Sequence, residues 1–474
     1  MISAGAVAPP NLSTVQGKFN QSYLWTISLV AALGGLLFGY DWVVIGGAKP
    51  FYEVYFHLES PSEQGWAMSC ALVGCLLGAM ASGRLSERFG RKRMLIFAGL
   101  VFATSSLGTG LAVSFDKFVL WRIAGGLAIG LASSLSPMYI AEIAPAHLRG
   151  KLVAMNQLTI VIGIVLAQGM NWVIAKPLDS GMTTFQILQS WNGQLGWRWM
   201  FAITAVPATL FLVAMFFVPE SPRWLAKRGS QIEALRILTR VGGPEYGTQV
   251  LREIDETLVK GGPNIALREL LTPQLFRPLL LGVALAVLQQ WCGINVIFNY
   301  AQEIFTEAGY SLSNILFNIV VTGMVMLVCT FIAINTVDRK GRRVLMLSGC
   351  AGLAAVYICL GAGYAIHGRG IGMLLLVVGA IAVYSTTLAP MTWVLLSEIF
   401  PNRARAESMS IATTALWTAC FVLTYTFPWL NRELGPAKTF WIYAAVCVAG
   451  FMLVKKWIPE TKGKTLEQIE SFWK

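Results

Sequence analysis

Gly83-Arg84-Leu85-Ser86-Glu87-Arg88-Phe89-Gly90-Arg91-Lys92 is a charged run between two apolar stretches. A shortened copy, Asp338-Arg339-Lys340-Gly341-Arg342-Arg343, stands in the same setting in the second half of the chain. Two further pairs follow in the same order. Glu142-Ile143-Ala144-Pro145, continuing to Arg149 and Gly150, is matched by Glu398-Ile399-Phe400-Pro401, continuing to Arg405 and Ala406. Pro219-Glu220-Ser221 is matched by Pro459-Glu460-Thr461. Motifs that recur three times in one order describe a parallel duplication, and a ligand site is then expected between the two copies.

The stretches between these motifs are apolar and long. The 474-residue chain is 55% hydrophobic and 13% charged, and about 20 apolar residues suffice for a helix to cross a bilayer. Twelve spans are predicted, at 24–47, 65–83, 94–113, 117–141, 152–175, 199–218, 278–301, 313–336, 344–364, 371–396, 407–430 and 438–457. The fold class is therefore an all-α membrane protein of twelve transmembrane helices. Residues 1–218 form one six-helix half and 278–457 the other, related by a pseudo-two-fold axis. Residues 219–277 form a polar linker and 458–474 a tail. Within the linker, Glu233-Ala234-Leu235-Arg236-Ile237-Leu238 and Leu251-Arg252-Glu253-Ile254-Asp255-Glu256 read as short amphipathic helices on the membrane surface.

Basic residues crowd the even-numbered loops, the linker and the tail, whereas the odd-numbered loops hold few, Lys49 among them. By the positive-inside rule both termini are cytoplasmic and the protein is a multi-pass component of the cell membrane. The net charge of +12 follows from this topology, so no nucleic-acid partner is expected. The eight cysteines lie mostly inside apolar stretches and, with three histidines, show no metal-ligand spacing. They read as small buried residues rather than a disulfide framework. Residues 1–20 are polar, and no cleavable leader is expected. Neither a nucleophile–base pair nor a phosphate-cradling loop is present in the sequence. An enzyme, an ATP-driven pump, a metal and a cofactor are all disfavoured.

One polar insertion stands out: Gln289-Gln290-Trp291-Cys292-Gly293-Ile294-Asn295, inside an apolar segment. Lipid offers amides no hydrogen bonds, so these side chains either join neighbouring helices or line a wet cavity. Asp41 in the first span and Arg122 in the fourth are costly alone at that depth, and mutual pairing is the default expectation.

Taken together, the duplicated motifs, Phe38-Gly39-Tyr40-Asp41, Pro219-Glu220-Ser221-Pro222-Arg223-Trp224-Leu225 and Gln289-Gln290 through Asn295 resemble the major facilitator superfamily, and within it the sugar porters. The likeness is nearest to bacterial proton–sugar symporters such as the xylose transporters. That resemblance implies a monosaccharide substrate, hexose or pentose, a proton as coupling ion, alternating access and a monomer in the lipid bilayer. It assigns the sugar to Gln157, Gln289, Gln290, Asn295 and Trp393, with Phe38 and Trp417 as aromatic neighbours. Amides donate to and accept from hydroxyls, and an aromatic face suits the C–H side of a sugar ring. Asp41 becomes the proton site and Arg122 its modulator, because an opposite charge favours the ionised carboxylate and its withdrawal favours protonation.

A cytoplasmic charge network is implied at Glu87, Arg88, Arg91, Glu142, Arg149, Glu220 and Arg223 of the first half. Its counterpart is Asp338, Arg339, Arg342, Glu398, Arg405 and Glu460 of the second. It would latch the cytoplasmic face while the outer face is open. Exposed pairs contribute only about 0–1 kcal/mol each, so a latch needs several partly buried pairs, and loop anchoring is the plainer alternative.

Departures from the family pattern bear on the sugar. Met326, Leu416, Cys420, Ala389 and Asn299 stand where relatives carry, in turn, an asparagine, two polar residues, a glycine and a tyrosine. Each lost hydrogen bond weakens binding by about 0.5–1.5 kcal/mol. A facilitative uniporter and a non-transporting sugar sensor remain as rival readings. Asp41 speaks against the first, and the short tail against the second.

Overall fold

A computed structural model describes residues 19–178, 182–260, 269–310, 312–401, 404–462 and Phe472. Among these residues the chain forms helices long and apolar enough to cross a membrane at eleven places. The last of them, Arg405–Trp457, runs to 53 residues. At 1.5 Å per residue an unbroken helix of that length would reach about 80 Å, more than twice a hydrocarbon core. It is in fact two helices: Gly435 takes φ 76° and ψ 165°, Pro436 follows, and the chain doubles back. The described residues thus make twelve passes, as the sequence predicts.

The boundaries differ from the predicted ones mainly by extension. The first helix runs Gln21–Phe56, past the apolar core and through Pro50. Lys49, read from the sequence as a loop residue, lies inside it and is 3% exposed. The second helix, Pro61–Phe89, opens on a capping box made by Ser60 and Glu63, with proline at its first position. Span three is Arg91–Gly110, span four Phe115–Ile143 and span five Ala146–Ile174. Span six begins in a π-turn at Asn192–Gly196 and continues through Trp197–Ala202 and Ala205–Phe216.

In the second half, spans eight and nine are Leu312–Lys340 and Arg342–Ala365. Spans seven and ten are broken. Span seven comprises Pro273–Trp291, Ile294–Asn299 and Ala301–Glu307. Span ten comprises Ile371–Thr386 and Leu388–Ile399. Irregular backbone at membrane depth persists only where protein or a cavity surrounds it, so these breaks point to the functional centre.

Small residues set the helix spacing. Spans two and four approach so closely that a Cβ added at Gly74 or Gly126 would lie 2.0 or 1.9 Å from backbone oxygen of the other helix, the packing that close-set membrane helices favour. The halves meet at the ends remote from the basic loops. There a Cβ at Gly46 of span one would sit 3.0 Å from the Asn299 carbonyl of span seven, and one at Gly65 of span two 2.3 Å from that of Tyr425. Trp172 of span five lies 5.9 Å from Phe317 of span eight, ring to ring.

The linker forms helices at Pro222–Lys227, Gln231–Gly242 and Pro244–Lys260, the last two spanning the two stretches that read as helical in the sequence. They have a small core of their own, with Leu225, Ala226, Ala234 and Ile237 buried together. Phe19 against Tyr246, ring centroids 5.2 Å apart, and Asn20 N–H donating to the Val241 carbonyl at 3.0 Å fasten them to the start of span one.

Candidate functional site

The break in span seven follows from one residue. Gly293 adopts φ +85°, and a Cβ there would stand 2.7 Å from the Tyr443 ring of span twelve. A glycine is needed for both reasons. The break turns the amides inward. Gln289, Gln290 and Asn295 are 4, 8 and 7% exposed. Asn295 Nδ2 donates to Gln290 Oε1, Gln290 Nε2 donates to Gln289 Oε1 at 3.4 Å, and Asn295 Nδ2 also lies 3.7 Å from Cys420 Sγ. Span seven is tied to span eleven by Trp291 Nε1 donating to the Ala419 carbonyl at 3.0 Å and Tyr300 hydroxyl donating to that of Thr424 at 2.6 Å. The strip is a connected chain of amides bonded to one another, and therefore able to exchange those bonds for hydroxyls.

The remaining residues expected at the sugar are placed less uniformly. Gln157 is half-buried on span five, and its side chain bonds to none of the described residues. Phe38 and Trp417 meet edge to face, ring centroids 5.8 Å apart, across the two halves. Trp42, which the sequence reading passes over, completes a triad with them at 5.8 and 6.2 Å. Trp393 stands apart, 38% exposed and outside this aromatic cluster. Met326, Leu416 and Cys420 are buried, so the apolar substitutions in the second half do face the interior.

Asp41 and Arg122 pair as expected. Arg122 Nη1 donates to Asp41 Oδ1 at 2.6 Å, both residues are buried, and the guanidinium lies over the Phe201 ring at 5.3 Å. A small cavity beside the pair reaches Asn299 at the far end of span seven's middle segment.

At the basic face the repeat becomes a repeated structure. Gly90 has φ +97°, and its missing side chain admits the Glu220 carboxylate, whose Oε1 accepts from the N–H groups of Arg91 and Lys92 at 2.9 and 3.0 Å. In the other half Gly341, at φ +90°, admits Glu460, which accepts from the N–H groups of Arg342 and Arg343 at 3.0 and 3.2 Å. In each half an acid from the end of the last span caps the first turn of its third helix, where the helix dipole favours negative charge. Arg91 then clamps Glu142 through Nε and Nη2, both at 3.0 Å, and holds Glu87 at 2.7 Å. Arg342 pairs with Glu398 at 3.4 Å.

These pairs run within each half, not between halves. Arg88, Arg149 and Arg223 are exposed and pair with no acid among the described residues, so they take no part in the network seen there. Arg405 donates to the Phe400 carbonyl at 3.1 Å. The side chains of Asp338 and Arg339 lie outside the described residues. Ser221, which donates to Glu142, and Lys227, which pairs with Glu87, are members that the charge pattern alone does not show.

Among the described residues an ionic bridge between the halves lies at the opposite face. Lys49 sits between Glu53, at 2.9 Å, and Glu303 of span seven.

Twelve passes in two repeated halves, with an amide strip and a buried ion pair where they meet, define a secondary transporter of the major facilitator fold. A family model described as "Sugar (and other) transporter" matches residues 27–473, and the chain belongs to that family. It is 38% identical to the D-xylose-proton symporter of Escherichia coli strain K12, over 96% of this chain and 97% of that one. It is equally 38% identical to the arabinose-proton symporter of Bacillus subtilis strain 168, over 98% of each. Among solved structures it is similar to the E. coli xylose transporter in a partially occluded inward-open conformation. There the TM-score is 0.83 and the identity 37%, over 94% of this chain and 100% of the other.

Proposed function

We propose that the chain imports a monosaccharide together with a proton across the cell membrane, its basic face and both termini being cytoplasmic. The observation that carries this reading is the buried Asp41–Arg122 pair at 2.6 Å, inside the first half but bordering a cavity that Asn299 of span seven also lines. A bare structural ion pair needs no such position. Placed there, the carboxylate can exchange its partner for a proton as the halves rock, because the neighbouring cation decides which form is favoured.

Sugar recognition falls to Gln289, Gln290 and Asn295, with Gln157 from the facing half and the Phe38–Trp42–Trp417 cluster as the apolar wall. In the same reading the protein works as a monomer. The named relatives carry xylose and arabinose, and the buried Met326, Leu416 and Cys420 favour a sugar that presents fewer hydroxyls to spans eight and eleven.

Reconstitution in proteoliposomes tests the reading. Asp41→Asn is expected to lose uphill accumulation driven by a proton gradient while retaining sugar counterflow. Undiminished accumulation in that variant would rule out the coupling role and favour a uniporter.

A further inference from the structure

Two orphaned polar atoms share one small cavity where the halves meet. The cavity is lined by Asp41 and Trp42 of span one, Cys75 of span two, Arg122 of span four and Asn299 of span seven, together with apolar side chains. Counted as space open to the centre of a water molecule, it measures about 20 Å³. One water needs about 10–15 Å³ by that measure. Among the described residues Arg122 Nε and Asn299 Oδ1 are both buried with no hydrogen-bond partner, and each residue is 4% exposed. One is a donor and the other an acceptor. Buried polar atoms in this condition are rare because each forfeits its solvation.

We propose that this cavity is a single-water site that accepts from Arg122 Nε and donates to Asn299 Oδ1, making Asn299 the positioning residue that links span seven to the Asp41 proton site. The role rests on the proton-coupled reading above. Arg122 is already committed to Asp41 through Nη1 and to the Phe201 face, so a water on Nε fixes the guanidinium's remaining free edge. Asp41 and Arg122 belong to the first half and Asn299 to the second, one turn beyond Asn295 of the amide strip. When the halves separate here, Asn299 leaves, the water loses its acceptor and the arginine its anchor.

The other titratable groups facing the pair are Cys70 and Cys75 of span two and, on span one itself, Tyr52. None of these brings a formal charge as a neutral thiol or phenol, so among the described residues Arg122 sets the charge beside Asp41. Asparagine stands here where the family resemblance expects tyrosine. The smaller side chain is what leaves room for a water.

The test uses the full chain in proteoliposomes, with the tightest-binding of xylose, arabinose and galactose as the probe sugar. Asn299→Leu fills the space and removes the acceptor; Asn299→Ser keeps an acceptor and the room. Asn299→Leu is expected to lower proton-driven accumulation about tenfold and to move the pH of half-maximal uptake about one unit toward alkaline, the equivalence of one decade per unit. Counterflow should stay unchanged, and Asn299→Ser should behave like the parent. Parental accumulation and pH profile in a well-folded Asn299→Leu would overturn the proposal. So would equal losses of accumulation and counterflow, which mark a structural defect. If Asn299→Leu does not fold, an experimental structure of the parent that resolves ordered water decides: density bridging Arg122 Nε and Asn299 Oδ1 supports the site, and an empty cavity refutes it. Uphill accumulation by Asp41→Asn would instead remove the proton-coupled reading itself, whatever Asn299 does.

Discussion

At the scale of single residues, the amide strip is internally bonded, and this sets what truncation does. Gln290 accepts from Asn295 and donates to Gln289, so Gln290→Ala strips partners from both neighbours as well as its own contact with sugar. One hydrogen bond is worth about 0.5–1.5 kcal/mol, and two lost together give about a tenfold or greater fall in affinity. Gln289→Ala, at the end of the chain of bonds, should cost less, though still measurably. Isothermal titration of the purified variants with the tightest-binding sugar checks the order, and equal, negligible effects would place the site elsewhere. Gln289, Gln290 and Asn295 were legible because amides in an apolar run advertise themselves. Trp42 was not, and Asn299 stood out only as a departure from the family's tyrosine, with no sign that it faces Arg122. An aromatic or an asparagine beside Asp41 or Tyr300 has no periodic signature, and its importance arises from residues more than 70 positions away in sequence that fold against it, such as Arg122.

At the scale of the element, the break in span seven hangs on Gly293. Gly293→Ala forces a side chain into φ +85° and against the Tyr443 ring at 2.7 Å. The backbone strain alone is about 1–2 kcal/mol, and the clash adds to it. The variant should melt several degrees lower in detergent, and the same Gly293→Ala change should cost less in a Tyr443→Ala background than in the parent. An equal cost in both backgrounds would mean the ring contact is unimportant. The clamp at the start of span three is a second such element: Arg91 is buried and grips Glu142 by two bonds. Breaking a buried pair by removing one partner costs about 3–5 kcal/mol, so Arg91→Met should lower thermal stability far more than Arg88→Met, whose exposed arginine touches no acid among the described residues. Equal effects in a melting assay would contradict the clamp. The sequence shows the charged motif but not this division of labour, because neighbouring arginines look alike until one is carried inward by the helix start at Gly90.

At the scale of the whole molecule, the ion pairs divide by face. Those at the basic face close each half on itself, whereas Lys49 reaches from Glu53 to Glu303 across the halves. Lys49→Met should therefore loosen the junction at the face opposite the basic loops, seen as faster amide exchange at the ends of spans one and seven. Exchanging the charges, Lys49→Glu with Glu303→Lys, should restore protection; exchange rates that ignore both changes would show the bridge to be idle. The duplication was legible from three motifs, and so was the twelve-pass topology. The position of Lys49 was not, since a basic residue just beyond an apolar run reads as a loop until Pro50 proves to lie within the helix.

The paired caps carry one more consequence, for biosynthesis. Glu220 and Glu460 each arrive at the very end of their own half, yet each closes the start of its third helix. During translation the basic face of a half thus stays unfinished until its sixth pass has left the ribosome, and it is complete at that moment without help from the other half. Each six-pass unit carries its own fastening, so the two halves made as separate polypeptides should each insert with their clamps formed and then find one another in the bilayer.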